Sequence, residues 1–435
     1  MRTLFPYQQK VLDWARTQTN PALFCEMRTG KTIITIRLIN VWRSKRVLVV
    51  APLSVLASWE DELEKEEERS VSRIPEDKAR WTLLNYEKLR SKKTELEGYD
   101  VVALDESTRA RNPQAKTTKL CLAGFRDAKH RLILSGLPAP EGLQDYCTQF
   151  LFLTGAFCGC TNFWAFRNRY FYQEKYSYEW RPRLDRVGHV KAEIQRNAYV
   201  LSRKDAGSGE RKIYEKRTVA LNAAQEKLIK SIQNGFELRP AETTNWTVVC
   251  SSWLARVAGG HGSEWAVVNR AKAQELVALL QTELNREQVV VFFRFNKEIE
   301  LCSSELSQAG ISSRTMTGDT PPADRKELIY DFRRGAFSTF LVQLKVGKFG
   351  LDLSSADTAI YYSNGYSLED REQSEDRIVH PSKKKPLLYI DLVSENSIDE
   401  DVLDALRQKK VQSAFFLRTV LDKFLKRRGL HARPA

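Results

Sequence analysis

Two short stretches carry residue types that together can hold a nucleoside triphosphate and split it. The first is CEMRTGKT, Cys25 to Thr32, set between the apolar run ALFC and the amphipathic run KTIITIRLI. It ends as phosphate-binding loops end, in Gly30-Lys31-Thr32. Backbone N–H groups at the start of such a helix would hold phosphate oxygens, with Arg28, Thr29 and Gly30 forming the turn. Lys31 would reach the β- and γ-phosphates, and Thr32 would offer its hydroxyl to Mg²⁺. The full P-loop pattern has a further glycine upstream, and Cys25 fills that slot. The second stretch is YDVVALDEST, an apolar run ending in Asp105-Glu106. A carboxylate at the carboxyl end of a strand lies where open α/β sheets place their ligands. Asp105 would hold Mg²⁺, directly or through water, and Glu106 would polarise the attacking water as general base. Either stretch alone is what a chance turn could give. Strand–GKT–helix followed by strand–DE in one half of a chain is a much rarer coincidence.

Those residues need elements to position them. The runs PALFCE, RVLVVAP, YDVVALDE and HRLILSG read as strands, and after a gap QVVVFFRF, TFLVQLK, TAIYYSN and LLYIDLV do so again. Continuous apolar strands that alternate with helical patterns indicate parallel sheets covered on both faces. The fold class expected is therefore α/β, with two parallel-sheet lobes. Between them FLFLTGAFCGCTNFWAFRNRYFYQEKYSYEWRPRL is dense in aromatics and arginine, and the run from 190 to 285 looks helical and more polar. The expected organisation is a first lobe over 1–150, an aromatic-rich helical insertion and linker over 151–264, a second lobe over 265–415, and a basic tail over 416–435. The acidic run EDELEKEEER reads as a solvated helix face with i,i+4 pairs.

The order and wording of the blocks resemble the superfamily 2 helicases, and within them the Swi/Snf-type DNA-dependent ATPases, in the compact form found in bacteriophages and bacteria. FPYQQKVLDW resembles the adenine-reading Q motif, with Gln8 in the recognition slot, and CEMRTGKT resembles motif I. VLVVAPLSVLASWEDEL resembles motif Ia, LDEST motif II, and LILSGLPAPEGLQD motif III. VVVFFRFNKEIE resembles motif IV, LVQLKVGKFGLDLSSADTAIYYS motif V, and REQSEDRIVHPSKK motif VI. The resemblance runs over roughly residues 4–410. It implies two RecA-like lobes with ATP and Mg²⁺ in the cleft between them. It also implies that Gln8, Lys31, Thr32, Asp105 and Glu106 come from the first lobe, and Gly350, Asp352, Gln373 and Arg377 from the second. Ser135 would couple the ATP site to the nucleic acid. Contacts to the nucleic acid would come from Ser54, Arg109, Arg111, Arg294, Asn296, Thr317, Gly318 and Lys345, mostly to phosphates.

The sequence departs from the family pattern at several positions. Arg28 stands where the family often has glycine, and adds positive charge beside the phosphates. Leu137 and Glu141 stand where threonine and asparagine are usual, which could alter coupling. In motif VI the family places a second arginine three residues after the first, and here Arg377 is followed by His380. An arginine finger is worth about 10³–10⁵ in rate, and histidine is shorter and mostly neutral at pH 7. Either Arg377 or a lysine of Lys383 to Lys385 takes the role, or hydrolysis is slow.

The chain has 435 residues and a formal charge of +14, from 69 basic against 55 acidic residues. That surplus fits a polyanion partner, and nucleic acid is the first expectation, with DNA ahead of RNA as the resemblance implies. No apolar run reaches the roughly 18–20 residues that span a membrane. The N-terminus MRTLFPYQQK has no signal-peptide core, and the seven cysteines are scattered in apolar runs, which fits a reducing bacterial or phage-infected cytoplasm. Cys158 and Cys160 form a lone C-x-C, too few ligands for a zinc site on their own. The aromatics of 150–186 read first as packing for the insertion, and second as a platform for unpaired bases. The function expected is an ATP-driven DNA translocase acting on duplex or branched DNA in replication, recombination or repair. Three alternatives stand beside it: a strand-separating DNA or RNA helicase, a weakly hydrolysing ATP-gated clamp, and the motor subunit of a larger repair or defence complex.

Overall fold

The computed structural model describes residues 2–90, 97–173, 180–207, 211–237, 243–347, 351–380, 383 and 385–408. In it the apolar runs become strands: β1 (Ala22–Cys25), β2 (Val47–Ala51), β3 (Val71–Ser72), β4 (Trp81–Asn85), β5 (Val101–Asp105) and β6 (His130–Leu134). Next come a short antiparallel hairpin, β7 (Phe171–Gln173) and β8 (Trp180–Pro182), and then β9 (Ala198–Leu201). The later strands are β10 (Lys212–Val219), β11 (Val289–Phe293), β12 (Ser313–Met316), β13 (Thr339–Gln343), β14 (Thr358–Tyr361) and β15 (Leu387–Ser394).

These strands make two separate parallel sheets. One runs β3-β4-β2-β5-β6-β1-β9 and the other β10-β15-β14-β11-β13-β12. The chain divides into two compact units at 209/210, one around each sheet. Side chains alternate across a strand, and the cores follow that period. Ala22 and Phe24 of β1 pack on one face of the first sheet while Leu23 and Cys25 pack on the other. In β11, Val290 and Phe292 face one core of the second sheet, and Val289, Val291 and Phe293 face the other. Burial on both faces is why these strands read as continuous apolar runs.

The stretch 190–285, read as helical, contains two strands as well as helices. β9 closes the edge of the first sheet against β1, and β10 pairs along its whole length with β15 of the second. β10 is an edge strand whose residues are half-buried or exposed, so KIYEKRTV carries no apolar run to announce it.

In the aromatic segment, most rings pack inward. Phe157, Phe163, Phe166, Tyr170 and Phe171 join the core cluster that also holds Tyr146 and Phe150. Centroid separations are 4.8 Å for Phe150–Phe157, 5.0 Å for Phe157–Phe166 and 5.1 Å for Phe166–Tyr170. The helices Phe163–Tyr170 and Leu184–Asn197 and the β7–β8 hairpin form an arm on this base. Cys158 and Cys160 are buried, and burial pushes the Cys158 thiol up to about 12. Among the described residues no cluster of His, Cys, Asp or Glu could hold a metal ion. Among them, too, no helix is long and apolar enough to cross a membrane.

Candidate functional site

In the first sheet the carboxyl ends of β2, β5, β6 and β1 lie side by side. The segments that follow them carry Ser54, Asp105-Glu106, Ser135 and the Gly30-Lys31-Thr32 turn, so four sequence blocks arrive at one edge. Gly30 is the N-cap of the helix Lys31–Val41 and has φ +84. It must be glycine for two reasons. That φ is costly for a side chain, and a Cβ there would stand 2.2 Å from Nε2 of Gln8. Gln8 is buried against the loop: its Nε2 donates to the Thr29 carbonyl at 3.2 Å, and its Oε1 accepts from the Phe5 N–H at 3.0 Å. The two motifs are thus one locked unit.

The rest of the loop is braced from both sides. The Thr29 hydroxyl donates to the Glu26 carbonyl at 2.7 Å. The Glu26 N–H donates to the Leu201 carbonyl of β9 at 2.9 Å, and its carboxylate accepts from the Arg203 N–H at 3.0 Å. Arg28 takes φ 63, the left-handed region, at the turn. Lys31 Nζ donates to the Cys25 carbonyl at 2.8 Å, and Thr32 sits half-buried in the first turn. Cys25 fills the upstream slot as a core residue, its thiol pushed up to about 12 by burial.

Asp105 ends β5, buried. Its Oδ2 accepts from the Trp59 indole N–H at 2.8 Å, and its Oδ1 from the Glu106 N–H at 3.0 Å. Burial raises its pKa, while Lys31, the indole and the backbone N–H pull the other way. Glu106 has φ 50, left-handed and non-glycine. The Tyr86 hydroxyl secures that turn by donating to the Asp105 carbonyl at 2.8 Å. Backbone strain of this kind costs about 1–3 kcal/mol and persists only where surroundings enforce it.

Ser135 is fully buried. Its N–H donates to the Leu23 carbonyl at 3.2 Å, and its Oγ accepts from the Leu137 N–H at 3.2 Å. At Gly136 a Cβ would stand 3.3 Å from Met27 Cγ and 3.4 Å from Lys31 Nζ, so this loop lies directly on the phosphate-binding turn. Two residues that sequence reasoning missed tie the blocks together. One is Trp59, the partner of Asp105. The other is Gln149, fully buried in the apolar helix Asp145–Thr154. Gln149 accepts from the Ser107 hydroxyl at 2.6 Å and donates to the carbonyls of Pro138 and Asp145, each at 2.7 Å. It joins the loop after Asp105-Glu106 to the loop after Ser135. A lone amide inside DYCTQFLFLT was the available signal.

In the second unit, motif VI occupies the helix Leu368–Glu375 and the turn after it. Gln373 is buried, its Nε2 donating to Glu369 at 3.3 Å. The Arg377 carbonyl accepts from the Leu353 N–H at 3.1 Å, joining motifs V and VI. Asp352 accepts from the Ser354 N–H at 3.2 Å and lies 3.8 Å from Arg333. Gly350 lies outside the described residues. The helix is pinned by Arg371, whose buried guanidinium pairs with Asp391 at 2.6 Å and Glu375 at 2.9 Å and lies 3.5 Å from the Tyr361 ring centroid. Lys212 of β10 reaches the same Glu375 at 3.0 Å. His380 is exposed. Of the lysines that could act in its place, Lys383 pairs with Asp357 at 2.7 Å, Lys385 is exposed, and Lys384 lies outside the described residues.

The expected nucleic-acid contacts fall in different settings. Arg109 is exposed on the turn Ser107–Ala110, and Arg111 is half-buried, 4.0 Å from Asp145. Ser54 is on the helix Leu53–Lys65, but its side chain is outside what is described. Thr317, Gly318 and Lys345 gather at the carboxyl ends of the neighbouring strands β12 and β13, where the Gly318 N–H donates to Gln343 Oε1 at 2.9 Å. Arg294 and Asn296 turn partly inward: Nη1 of the first and Oδ1 of the second are buried. Beside them Glu298 is fully buried, and burial pushes its carboxyl up to about 7.

Two family models match the chain, an SNF2-related domain over residues 7–187 and a helicase conserved C-terminal domain over residues 271–381. Over 456 residues the chain is 26% identical to a probable ATP-dependent DNA helicase CHR23 of Arabidopsis thaliana, covering 93% of this chain and 42% of that protein. Over 433 residues it is 24% identical to the DNA repair and recombination protein RDH54 of Saccharomyces cerevisiae, covering 86% of this chain and 45% of that protein. The chain spans less than half the length of these curated relatives. Among solved structures, the helicase domain of Pyrococcus furiosus Hef shares the fold at a TM-score of 0.55 and 14% identity, covering 92% of this chain and 98% of that one.

Proposed function

Because the chain belongs to the Swi/Snf type of the superfamily 2 helicases, we propose that it is a DNA-dependent ATPase that moves along or remodels duplex or branched DNA. The observation that carries this is the single sheet edge on which Gln8, Gly30, Lys31, Thr32, Asp105, Glu106 and Ser135 meet. Phosphoryl transfer asks mainly for positioning and charge, and a locked loop with a lysine beside two carboxylates supplies both. The matched relatives are named as a DNA helicase and a DNA repair and recombination protein, which favours DNA as the track.

The residues present fit a nucleotide and its metal. Gly30 leaves open the space that a Cβ would take, and the Asp105 carboxylate lies close enough to Lys31 to feel its charge. Thr32 and Asp105 would hold Mg²⁺, which when bound neutralises charge on the phosphates. Lys31 would exchange the Cys25 carbonyl for phosphate oxygens. Glu106 would take the proton of the attacking water, its carboxylate aimed by the left-handed turn that Tyr86 secures.

The test is ATP turnover by the full chain, alone and with duplex, forked and single-stranded DNA and with RNA. Stimulation by duplex or forked DNA that disappears in Lys31→Ala is expected. No stimulation by any polymer would remove the motor reading. A second reading, an ATP-gated clamp that hydrolyses slowly, rests on His380. With Lys383 paired to Asp357, His380→Arg is expected to raise DNA-stimulated kcat about tenfold or more. An unchanged kcat would mean that Arg377 or another cation already serves.

A further inference from the structure

The arm on the first unit carries chemistry that the ATP site does not use. Its inner side is core: Phe163, Phe166, Tyr170 and Phe171 are buried. Its outer side is unusual. Trp164 is 44% exposed, Tyr172 43% and Leu184 85%. Across residues 163–173 and 180–197 there are six arginines and one lysine against two carboxylates, Asp185 and Glu193. In the hairpin Tyr172 stands directly opposite Arg181. Residues paired this way share a face of an antiparallel ribbon, so an exposed phenol ring and an exposed guanidinium lie side by side. The neighbouring rung, Phe171 opposite Pro182, turns to the core.

The base of this surface is fixed. On the opposite face of the ribbon Arg167 lies 4.5 Å from the Trp164 ring centroid and 4.2 Å from that of Trp180, joining the helix Phe163–Tyr170 to β8. Arg183 Nε donates to the Phe171 carbonyl at 3.2 Å, and Arg186 Nη1 to the Arg169 carbonyl at 2.7 Å. Aromatic faces and cations held at fixed positions lose little freedom on binding. That combination suits a strand whose phosphates meet arginine and whose bases stack on rings. Duplex DNA offers the phosphates but keeps its bases stacked on each other, so the exposed rings would gain nothing from it.

We propose that the outer face of this arm binds single-stranded DNA, with phosphates on Arg181 and its neighbours and an unpaired base on Tyr172. The proposal shares with the motor reading only the premise that the ligand is nucleic acid. Its test therefore uses no ATP. The full chain carrying Lys31→Ala is titrated into fluorescein-labelled oligothymidylate and, separately, a blunt duplex, with anisotropy as the readout. Tyr172→Ala should weaken binding to oligothymidylate about tenfold while barely changing the duplex. Tyr172→Phe should restore most of the loss at that position. Arg181→Glu should lower the salt dependence of single-strand binding. Thermal melting of each variant separates loss of the surface from loss of the fold. Unchanged oligothymidylate affinity in a Tyr172→Ala variant that melts normally overturns the proposal. So does an equal loss on the duplex, which would make the arm a backbone contact only.

Discussion

Gln149 carries three hydrogen bonds in a place where its neighbours are Phe150, Leu151 and Phe152. Replacing it by leucine keeps the volume but leaves the Ser107 hydroxyl and two carbonyls without their partner, at about 1–3 kcal/mol for each buried group that stays unsatisfied. If the amide positions the Asp105-Glu106 loop against the Ser135 loop, Gln149→Leu should cut kcat more than it raises KM for ATP. Ser107→Ala should do likewise, with the double variant no worse than the single. Additive losses, or a change in stability alone, would reduce Gln149 to packing. The residues with the chemistry, Lys31, Thr32, Asp105 and Glu106, were legible because reacting groups come in fixed local spacings. Their supports, Trp59, Tyr86 and Gln149, were not. Each reaches its partner from another element, and nothing local marks which amide or indole will do so.

The helix Asn296–Gln308 starts with a cap in which Glu298 accepts from the Phe295 N–H at 3.2 Å and also takes the Ser363 hydroxyl. Lys272, Asp399, Arg294, Cys302 and Tyr362 are the charged and titratable groups that act on it or feel it. Its carboxyl is raised from 4.5 to about 7, so the folded protein keeps this proton to higher pH than the unfolded chain. The contribution is therefore full below about pH 4.5 and is lost as pH rises through 7. The melting temperature of Glu298→Gln, set against that of the parent at each pH, should gain ground between pH 5 and pH 8. A constant difference would mean an ordinary carboxylate. At the same scale, Arg371→Met strands Asp391 in the second core, while Glu375 keeps Lys212, and should cost about 3–5 kcal/mol, measured by denaturant unfolding. Eight strands were legible because each is an apolar run buried on both faces. β10 and β12 were not, because they lie at sheet edges with polar or half-exposed residues.

At the scale of the whole chain, a charge of +14 is unevenly placed. The arm is basic, while Glu60, Glu64, Glu67 and Glu68 line a cavity of about 550 Å³ elsewhere on the first unit. Binding to DNA through phosphates releases counterions, so affinity for duplex should fall by about 10³-fold or more between roughly 50 and 200 mM salt. A flat salt response would place the binding energy in apolar contacts instead. The two-lobe plan was legible at this scale because order and spacing of many blocks agree. The division at 209/210 was not, since a linker between two sheets has no apolar pattern of its own.

The bond from Trp59 to Asp105 also makes the protein its own optical sensor. Indole emission responds to charge placed beside the ring, and this indole donates at 2.8 Å to the carboxylate expected to meet the metal. Nine tryptophans contribute to the spectrum, so the difference between the parent and Trp59→Phe isolates one. Nucleotide and Mg²⁺ arriving at the sheet edge should change that difference signal in real time, with no label and no turnover required.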